Sequence, residues 1–339
     1  MKAIEIKDGK VEIVEKPDPK AKDEWVVVKI LSSPMCTEYK GYKSGKSSEN
    51  LGHEAAGEVV EVDQSSLVKV GDKVAVMPQS GCNVCDLCLT GDYIHCQNAP
   101  KLDQAGISEH GSGTYAQYII KQDWLLVPIP DEISFDYGSM ACCGLGPTYG
   151  AMQRMNVTAG ETILITGMGP VGLGGIVNGI HRNARVITAE LDPYRRELAS
   201  NIGAVLSVNP TEKSSNEQIM DLTNGVGVDC VIDCSGSANA QRFALDVIRR
   251  RGSMCFVGQG PDEVPVYTSA DMIRKGISLM GIWHYRRSEA SGIMQVIKDS
   301  KQQLDKHITH YMPMNEVENA FNLQLEGKAG KIILHPWEN

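Results

Sequence analysis

Apolar and polar residues alternate through the first part of the chain. The opening segment, Met1 to Lys16, alternates around Asp8-Gly9, and this pattern predicts a β-hairpin. Similar short alternating strands are predicted at Trp25 to Ile30 and at Ala56 to Val62, with Gly-Asp and Pro turns between such segments. The chain is therefore predicted to be β-rich up to about Pro130.

The pattern changes after that point. Helix signals appear from Ser134 to Met155, and apolar strands then alternate with helices, beginning with the strand Glu161 to Thr166 and the helix Pro170 to His181. Further apolar strands are predicted at Val186 to Leu191, Val228 to Cys234, Ser253 to Val257 and Ser278 to Ile282. Such alternation predicts a parallel, doubly wound sheet. After about Ser288 the pattern returns to helices and a final strand, Lys331 to Leu334.

These patterns predict a mixed α/β chain of two domains. We expect a β-rich domain made of residues 1–145 and 288–339, interrupted by an α/β domain made of residues 146–287. A length of 339 residues suits two domains of ordinary size, and a hydrophobic fraction of 42% supplies side chains for their cores.

Charge and hydropathy disfavour several kinds of partner. The net charge is −9, which argues against nucleic acid and acidic membranes as partners. The sequence has no run of about 18 apolar residues, so we expect no membrane span. The N-terminus has no basic segment followed by an apolar one, and the sequence therefore predicts a cytoplasmic protein.

Ten cysteines are present, and four of them are crowded between Cys82 and Cys96. Without a secretion signal, this crowding favours metal binding over disulfides. The four residues Cys82, Cys85, Cys88 and Cys96 are spaced C-x2-C-x2-C-x7-C. Thiolates at such intervals can surround one tetrahedral zinc ion and leave no position open for a substrate. The spacing therefore predicts a structural zinc ion in a lobe of residues 80–100. The alternatives are an iron–sulfur cluster and a redox-active C-x-x-C.

A glycine-rich loop separates the first strand of the α/β domain from its helix. It consists of Gly167, Gly169, Pro170, Val171 and Gly172. Glycines there let the backbone approach a pyrophosphate, and the helix N-terminus supplies N–H donors. The next strand ends at Glu190, 18 residues beyond Gly172. A carboxylate at that place can bind both ribose hydroxyls of NAD and repels the 2′-phosphate of NADP, so the sequence predicts an NAD site.

Further metal-binding candidates are scattered: Cys36, the pair His53-Glu54, and Cys143. Each is weak alone, because a lone buried cysteine is usually a small hydrophobe. Their surroundings carry more information. Gly52 precedes His53, Gly71-Asp72-Lys73-Val74 follows, and Cys143 opens the run Cys-Gly-Leu-Gly-Pro-Thr-Tyr-Gly.

Together with the four-cysteine lobe, the glycine-rich loop and the C-terminal Gly330-Lys331, these segments resemble the zinc-dependent medium-chain dehydrogenases, which include alcohol, sorbitol and threonine dehydrogenases. The resemblance covers essentially the whole chain. It implies a GroES-like β-rich catalytic domain and a doubly wound Rossmann domain that binds NAD.

The resemblance also implies a ligand set for a catalytic zinc ion. Cys36, His53 and Cys143 match the family's ligands, and Glu54 is either a fourth ligand or a group beside the metal. Cys142 is adjacent, but the glycines that follow fit the register starting at Cys143. Three protein ligands leave one position open, where a substrate hydroxyl can bind and lose its proton.

The expected activity is NAD-linked oxidation of a small alcohol or polyol by a homo-oligomer, a tetramer or a dimer. Two zinc ions and NAD are the expected cofactors. The resemblance places Arg195, Val257 and Lys331 at the cofactor. NADP is the alternative, because Arg195 and Arg196 together could hold a 2′-phosphate.

One segment departs from the family pattern. Family members usually follow the first cysteine with one residue, then Ser or Thr, then Asp, whereas Cys36 is followed directly by Thr37-Glu38. Without a gap, Glu38 takes the place of the hydroxyl that relays a proton. With one residue deleted, Thr37 is the relay and Glu38 replaces the aspartate, and we favour this second alignment. The stretch from Cys36 to His53 is also short and polar for the family, which puts an inherited substrate in doubt.

Two segments bear on the substrate. Gly281 to Arg286 resembles a stretch of the sorbitol-type polyol dehydrogenases, although its aromatic residues could simply be packed and Arg286-Arg287 solvated. The same arginines could meet a phosphorylated or carboxylated substrate. Oxidation of threonine or an amino alcohol is the close rival, and a non-catalytic sensor that binds NAD or zinc is the alternative from another class.

Overall fold

The structure, a computed structural model, describes residues 1–103, 105–107 and 111–338. The chain divides into two compact units. Unit 1 comprises residues 1–144, 286–298 and 308–339, and unit 2 comprises residues 145–285 and 299–307. This division differs from the predicted domains chiefly at residues 299–307, which pack with unit 2.

Unit 1 begins with a hairpin of β1 (Lys2–Lys7) and β2 (Lys10–Glu15), whose turn has positive φ at Asp8 and Gly9. Its next strands are β3 (Trp25–Pro34), β4 (Ala55–Glu61), β5 (Lys73–Val76), β6 (Tyr118–Gln122) and β7 (Leu126–Pro128). Short helices lie between and after them, namely α1 (Glu38–Lys43), α2 (Asp86–Leu89), α3 (Phe135–Ser139) and 3₁₀ turns at Tyr93–His95 and Asp123–Leu125. Eight of the ten residues of β3 are buried, and the strand pairs with both β4 and β6.

Unit 2 is a parallel sheet with helices between successive strands. Its strands are β8 (Thr162–Thr166), β9 (Arg185–Ala189), β10 (Leu206–Val208), β11 (Val228–Asp233), β12 (Ile248–Phe256) and β13 (Ser278–Gly281). Its helices are α4 (Gly146–Arg154), α5 (Pro170–His181), α6 (Pro193–Ile202), α7 (Ser214–Leu222), α8 (Ala238–Val247) and a π-helical turn at Thr268–Arg274. The strand order is β10-β9-β8-β11-β12-β13: strands β9 and β10 extend the sheet on one side of β8, and strands β11 to β13 extend it on the other. This order confirms the predicted doubly wound Rossmann sheet.

The C-terminal segments supply the remaining elements. They are α9 (Ala290–Asp299), α10 (Lys301–His307), β14 (Ile308–Pro313), α11 (Val317–Leu325), β15 (Lys331–His335), and 3₁₀ turns at Arg287–Glu289 and Met314–Glu316. In unit 1, β15 pairs with β14 and with the end of β3, which completes a seven-stranded sheet. None of the helices in the described ranges is long and apolar enough to cross a membrane.

Candidate metal and cofactor sites

The four thiols of residues 80–100 converge on one point. Their sulfur atoms all lie within 4.8 Å of one another, with Cys82 Sγ 3.9 Å from Cys88 Sγ and Cys85 Sγ 3.9 Å from Cys96 Sγ. Zinc–sulfur bonds of ~2.3 Å in a tetrahedron place the sulfur atoms about 3.8 Å apart. Backbone N–H groups also donate to these sulfurs, including Cys82 N to Cys96 Sγ at 3.3 Å and Cys85 N to Cys82 Sγ at 3.4 Å. The thiols fit a zinc ion that has no open coordination position.

Two arginines fasten this lobe to the rest of unit 1. Arg286 Nε donates to Asp92 Oδ2 at 3.0 Å, and Arg287 N donates to Gly91 O at 3.0 Å. Arg287 also donates through its guanidinium to Trp124 O at 3.0 Å. The pair considered above as a contact for an anionic substrate therefore has structural partners within its own unit.

A second cluster forms where three segments of unit 1 meet. Cys36 follows β3, the pair His53-Glu54 precedes β4, and Cys143 follows α3. Ligand atoms of these four residues lie within 4.8 Å of one another, and Cys143 Sγ is 3.3 Å from His53 Nε2. Two sulfurs, an imidazole nitrogen and a carboxylate oxygen are a donor set that suits zinc.

The neighbouring Cys142 points elsewhere. Its Sγ donates to Val76 O at 3.2 Å, and burial raises the pKa of this thiol to about 12. A protonated, buried thiol that bonds to a carbonyl is a poor metal ligand. The geometry therefore favours Cys143 over Cys142.

Glu54 is fully buried beside the cluster and is held by Lys331. Its Oε1 accepts a hydrogen bond from Lys331 Nζ at 2.7 Å, and both side chains are 0% exposed. Burial raises the pKa of Glu54 to about 7, although the nearby Lys331 charge opposes the rise. Among the described residues, Glu54 Oε2 has no hydrogen-bond partner. A buried, unpartnered carboxylate oxygen within reach of two thiols and an imidazole fits a site for a cation.

Lys331 has neighbours that its sequence assignment did not predict. The resemblance placed it at the cofactor, whereas its ammonium group lies buried in unit 1 against Glu54. Burial disfavours the charged ammonium, but Glu54 and Cys36 outweigh burial and raise the pKa of Lys331. Its side chain therefore balances charge at the second cluster.

Glu38 links two of the candidate ligands. Its Oε1 lies 2.7 Å from His53 Nδ1, while Oε2 accepts from Cys36 N at 2.9 Å and from the Tyr115 hydroxyl at 3.0 Å. Burial opposes ionisation, but the charge and hydrogen bond of His53 lower the pKa of Glu38 to about 2. Thr37, by contrast, is exposed at the start of α1. Sequence reasoning identified Glu38 but missed Tyr115, whose partner lies 77 residues away.

The glycine-rich loop lies between β8 and α5 in unit 2. Gly167 has φ +83°, and a Cβ there would lie 2.8 Å from the Ser235 backbone. A Cβ at Gly172 would lie 1.9 Å from Gly167 O, so glycine is needed for α5 to pack this closely. A Cβ at Gly169, which precedes Pro170 at the helix start, would meet nothing within 4 Å. The loop thus leaves open space at the N-terminus of a helix, where a pyrophosphate can bind.

Of the other predicted cofactor residues in unit 2, Glu190 and Val257 each follow a strand, and Arg195 lies in a helix. Glu190 follows β9, and its carboxylate accepts from Met168 N at 2.6 Å and from Asp192 N at 3.0 Å. Arg195 N donates to Asp192 Oδ1 at 2.9 Å in the first turn of α6. Val257 follows β12. Carboxyl ends of parallel strands share one edge of a sheet, and dinucleotides bind at that edge.

Two family descriptions match the chain. Residues 22–131 match the alcohol dehydrogenase GroES-like domain, and residues 170–299 match the zinc-binding dehydrogenase family.

Relatives with known names match nearly end to end. An L-threonine 3-dehydrogenase of Pyrococcus horikoshii is 30% identical over 336 residues, covering 95% of this chain and 94% of the relative. A sorbitol dehydrogenase of Halalkalibacterium halodurans is 26% identical, covering 97% and 96%. Among solved structures, an alcohol dehydrogenase from Thermotoga maritima superposes with a TM-score of 0.84 at 26% identity, covering 98% of both chains.

Proposed function

The chain belongs to the zinc-dependent medium-chain dehydrogenases, and we propose that it oxidises a secondary or polyhydroxylated alcohol with NAD at the cluster of Cys36, His53 and Cys143. The observation that carries this proposal is the convergence of two sulfurs, an imidazole nitrogen and a carboxylate oxygen within 4.8 Å. A cluster with three strong zinc ligands, rather than four cysteines, leaves one coordination position for a substrate.

The donor set fits a zinc ion, which when bound supplies a Lewis acid that polarises an alcohol oxygen and lowers the pKa of its hydroxyl. Cys36, His53 and Cys143 would hold the ion. Glu54 would either join them through Oε2 or remain beside the ion, and in both cases its Oε1 can stay bonded to Lys331. The charge of two thiolates matches that of one divalent cation, and Lys331 matches the charge of Glu54, which leaves Glu38 as a further negative charge beside His53.

We assign different tasks to Thr37 and Glu38. Glu38 Oε2 accepts two hydrogen bonds, and Oε1 lies 2.7 Å from His53 Nδ1. Glu38 therefore orients a ligand, as expected if it replaces the aspartate of the family pattern. The Thr37 hydroxyl can donate and accept at once, so Thr37 is our candidate for passing the substrate's proton towards solvent.

For the cofactor we propose NAD, which when bound would supply the acceptor for the hydride. The Gly167–Gly172 loop would bind its pyrophosphate, and Glu190 would bind the adenosine ribose. Glu190 supports NAD over NADP because its carboxylate already lies against the loop N–H of Met168, where a 2′-phosphate would meet a negative charge.

We also propose two zinc ions per chain, a homo-oligomer and a cytoplasmic location. The two separate clusters support the zinc count. A four-thiol metal site requires reduced cysteines, which suits a reducing compartment.

The proposal is tested by NADH formation across a panel of polyols, amino-sugar alcohols, simple alcohols and L-threonine. We expect turnover of a polyhydroxylated or secondary alcohol with NAD. A preference for NADP by kcat/KM would contradict the cofactor assignment, and the absence of turnover with any alcohol would contradict the activity.

L-Threonine is the second candidate substrate. It is itself a secondary alcohol, and the 30% identity to an L-threonine 3-dehydrogenase over 95% of the chain favours including it. A kcat/KM for L-threonine above that of every polyol in the panel would select this candidate.

A further inference from the structure

Tyr115 lies beside the proposed catalytic metal site without being one of its ligands. Its side chain is 1% exposed, and its hydroxyl donates to Glu38 Oε2 at 3.0 Å. The other oxygen of that carboxylate lies 2.7 Å from His53 Nδ1. A continuous line of contacts therefore runs from Tyr115 through Glu38 to the imidazole ring.

The segment that carries Tyr115 is fastened to the segment that carries His53. Tyr115 N donates to Leu51 O at 2.9 Å. Gly52 has φ +83°, and a Cβ there would lie 2.5 Å from Tyr115 Cδ1. Only glycine lets the ring lie this close to the backbone that precedes His53. A backbone bond and a ring contact thus fix the hydroxyl relative to the imidazole.

We propose that Tyr115 is a positioning residue of the catalytic metal site, whose hydroxyl fixes the Glu38 carboxylate and thereby the orientation of His53. This inference rests on the proposed function. Cys36 N and the tyrosine hydroxyl together hold Oε2, which leaves Oε1 directed at Nδ1 and turns Nε2 towards Cys143.

The cost of losing this restraint follows from general metal-site chemistry. A glutamate has three rotatable side-chain bonds, so an unrestrained carboxylate spends less time in the one geometry that supports the ring. Loss of the outer partner of a metal-bound histidine typically reduces metal affinity 10- to 100-fold. Tyr115 acts one contact further out, so we place its effect at the lower end, about 10-fold.

If Tyr115 only packed against its neighbours, Tyr115→Phe would leave the metal site unchanged. Its ring packs against Phe321, with centroids 6.4 Å apart, and phenylalanine would keep that packing while losing only the hydroxyl. Tyr42 offers a matched control, because its ring stacks on Phe321 at 5.1 Å and its hydroxyl donates to a different carboxylate, Glu318, at 2.7 Å. Tyr42 also lies on the same helix α1 as Glu38.

The experiment measures zinc release from the purified, zinc-loaded protein to a chromogenic chelator. We expect one release phase for each zinc ion, and the phase that disappears in Cys36→Ser is assigned to the catalytic site. We expect Tyr115→Phe to accelerate that phase about 10-fold and to leave the other phase unchanged. Tyr42→Phe should release both ions at the wild-type rates. In a Glu38→Ala background, Tyr115→Phe should add no further acceleration, since the carboxylate that transmits its effect is gone.

Three results would overturn the inference. One is a wild-type release rate in Tyr115→Phe, and another is an equal acceleration in Tyr42→Phe. The third is an undiminished effect of Tyr115→Phe without the Glu38 carboxylate, which decides the matter even if that variant also melts earlier. A wild-type protein with no release phase that Cys36→Ser removes would instead overturn the proposed function, and this inference with it.

Discussion

At the scale of single residues, Lys331 and Glu54 form a buried ion pair in unit 1. Both side chains are 0% exposed and lie 2.7 Å apart. Taking two charges out of water is costly, and a pair of this kind survives because each member compensates the other. One oxygen of the Glu54 carboxylate has no hydrogen-bond partner in the described structure, and the carboxylate reaches within 4.8 Å of the ligand atoms of Cys36, His53 and Cys143.

Lys331→Met should destabilise the protein by about 3–5 kcal/mol, because it leaves Glu54 buried without its counter-charge. Guanidinium unfolding of the zinc-loaded protein measures the loss. The double variant Lys331→Met, Glu54→Gln should recover part of it, since the uncompensated charge is then gone. A Lys331→Met protein as stable as the wild type would show that the pair is not what holds this region.

Thr37→Val should slow hydride transfer at neutral pH by about 10²-fold or more, in line with general acid–base contributions. Valine keeps the shape of threonine and removes only the hydroxyl, and Thr37→Ser should retain most activity. Pre-steady-state NADH formation with a deuterated substrate isolates the step. Nearly normal transfer in Thr37→Val would exclude the hydroxyl as the proton's route. Glu38→Gln cannot decide this point by activity alone, because Glu38 also orients His53.

Glu190→Ala should weaken NAD and admit NADP. The substitution removes hydrogen bonds to the ribose hydroxyls and the repulsion of a 2′-phosphate together. The ratio of kcat/KM for the two cofactors should move towards NADP, with Glu190→Gln intermediate because it loses the charge alone. An unchanged ratio would place the ribose elsewhere.

At the scale of elements, we expect the lobe of residues 80–100 to depend on a bound metal ion. It contains one four-residue α-helix and one 3₁₀ turn, and Leu89 and Val84 are 69% and 76% exposed. So little regular structure and so few buried side chains supply little folding energy, and a structural zinc ion would provide it.

Cys85→Ser should therefore remove one zinc ion and open the lobe to proteases. Limited proteolysis should cut within residues 80–100 in this variant but not in Cys36→Ser, where the catalytic cluster alone is altered. Equal protection of the lobe in both variants would show that its thiols do not hold it together.

Some helices and strands can be predicted from the sequence and others cannot. Hydrophobic periodicity correctly predicted β1, β2 and the parallel sheet of unit 2, because alternation and apolar runs are local signals. Helix α1 was not predicted, since its six residues carry no buried side chain and hence no periodic pattern. The packing of residues 299–307 with unit 2 was missed for a related reason, as α10 is short and its neighbours are distant in sequence.

The candidate sites divide in the same way. Cysteine spacing and the glycine-rich loop lie within short segments, so the residues that converge there were predicted by motif. Glu54 lies 277 residues from Lys331, and Tyr115 lies 77 residues from Glu38, so nothing local in the sequence reports these two contacts. Such contacts depend on how β15, α1 and the segment at Tyr115 meet in the folded unit.

At the scale of the whole molecule, the candidate metal sites and the candidate cofactor site lie in different units. Unit 1 contains both thiol clusters, and unit 2 contains the glycine-rich loop and Glu190. We propose that the cluster of Cys36, His53 and Cys143 binds the zinc ion on which alcohol oxidation depends, separately from the four-cysteine lobe.

Zinc content measured beside NADH formation, in the wild type and in Cys143→Ser, tests that claim most directly. We predict two zinc ions per wild-type chain, and one ion with no measurable turnover in Cys143→Ser, whose far-ultraviolet circular dichroism should match the wild type. A Cys143→Ser protein that keeps both zinc ions, or that still oxidises the alcohol at the wild-type rate, would contradict the account.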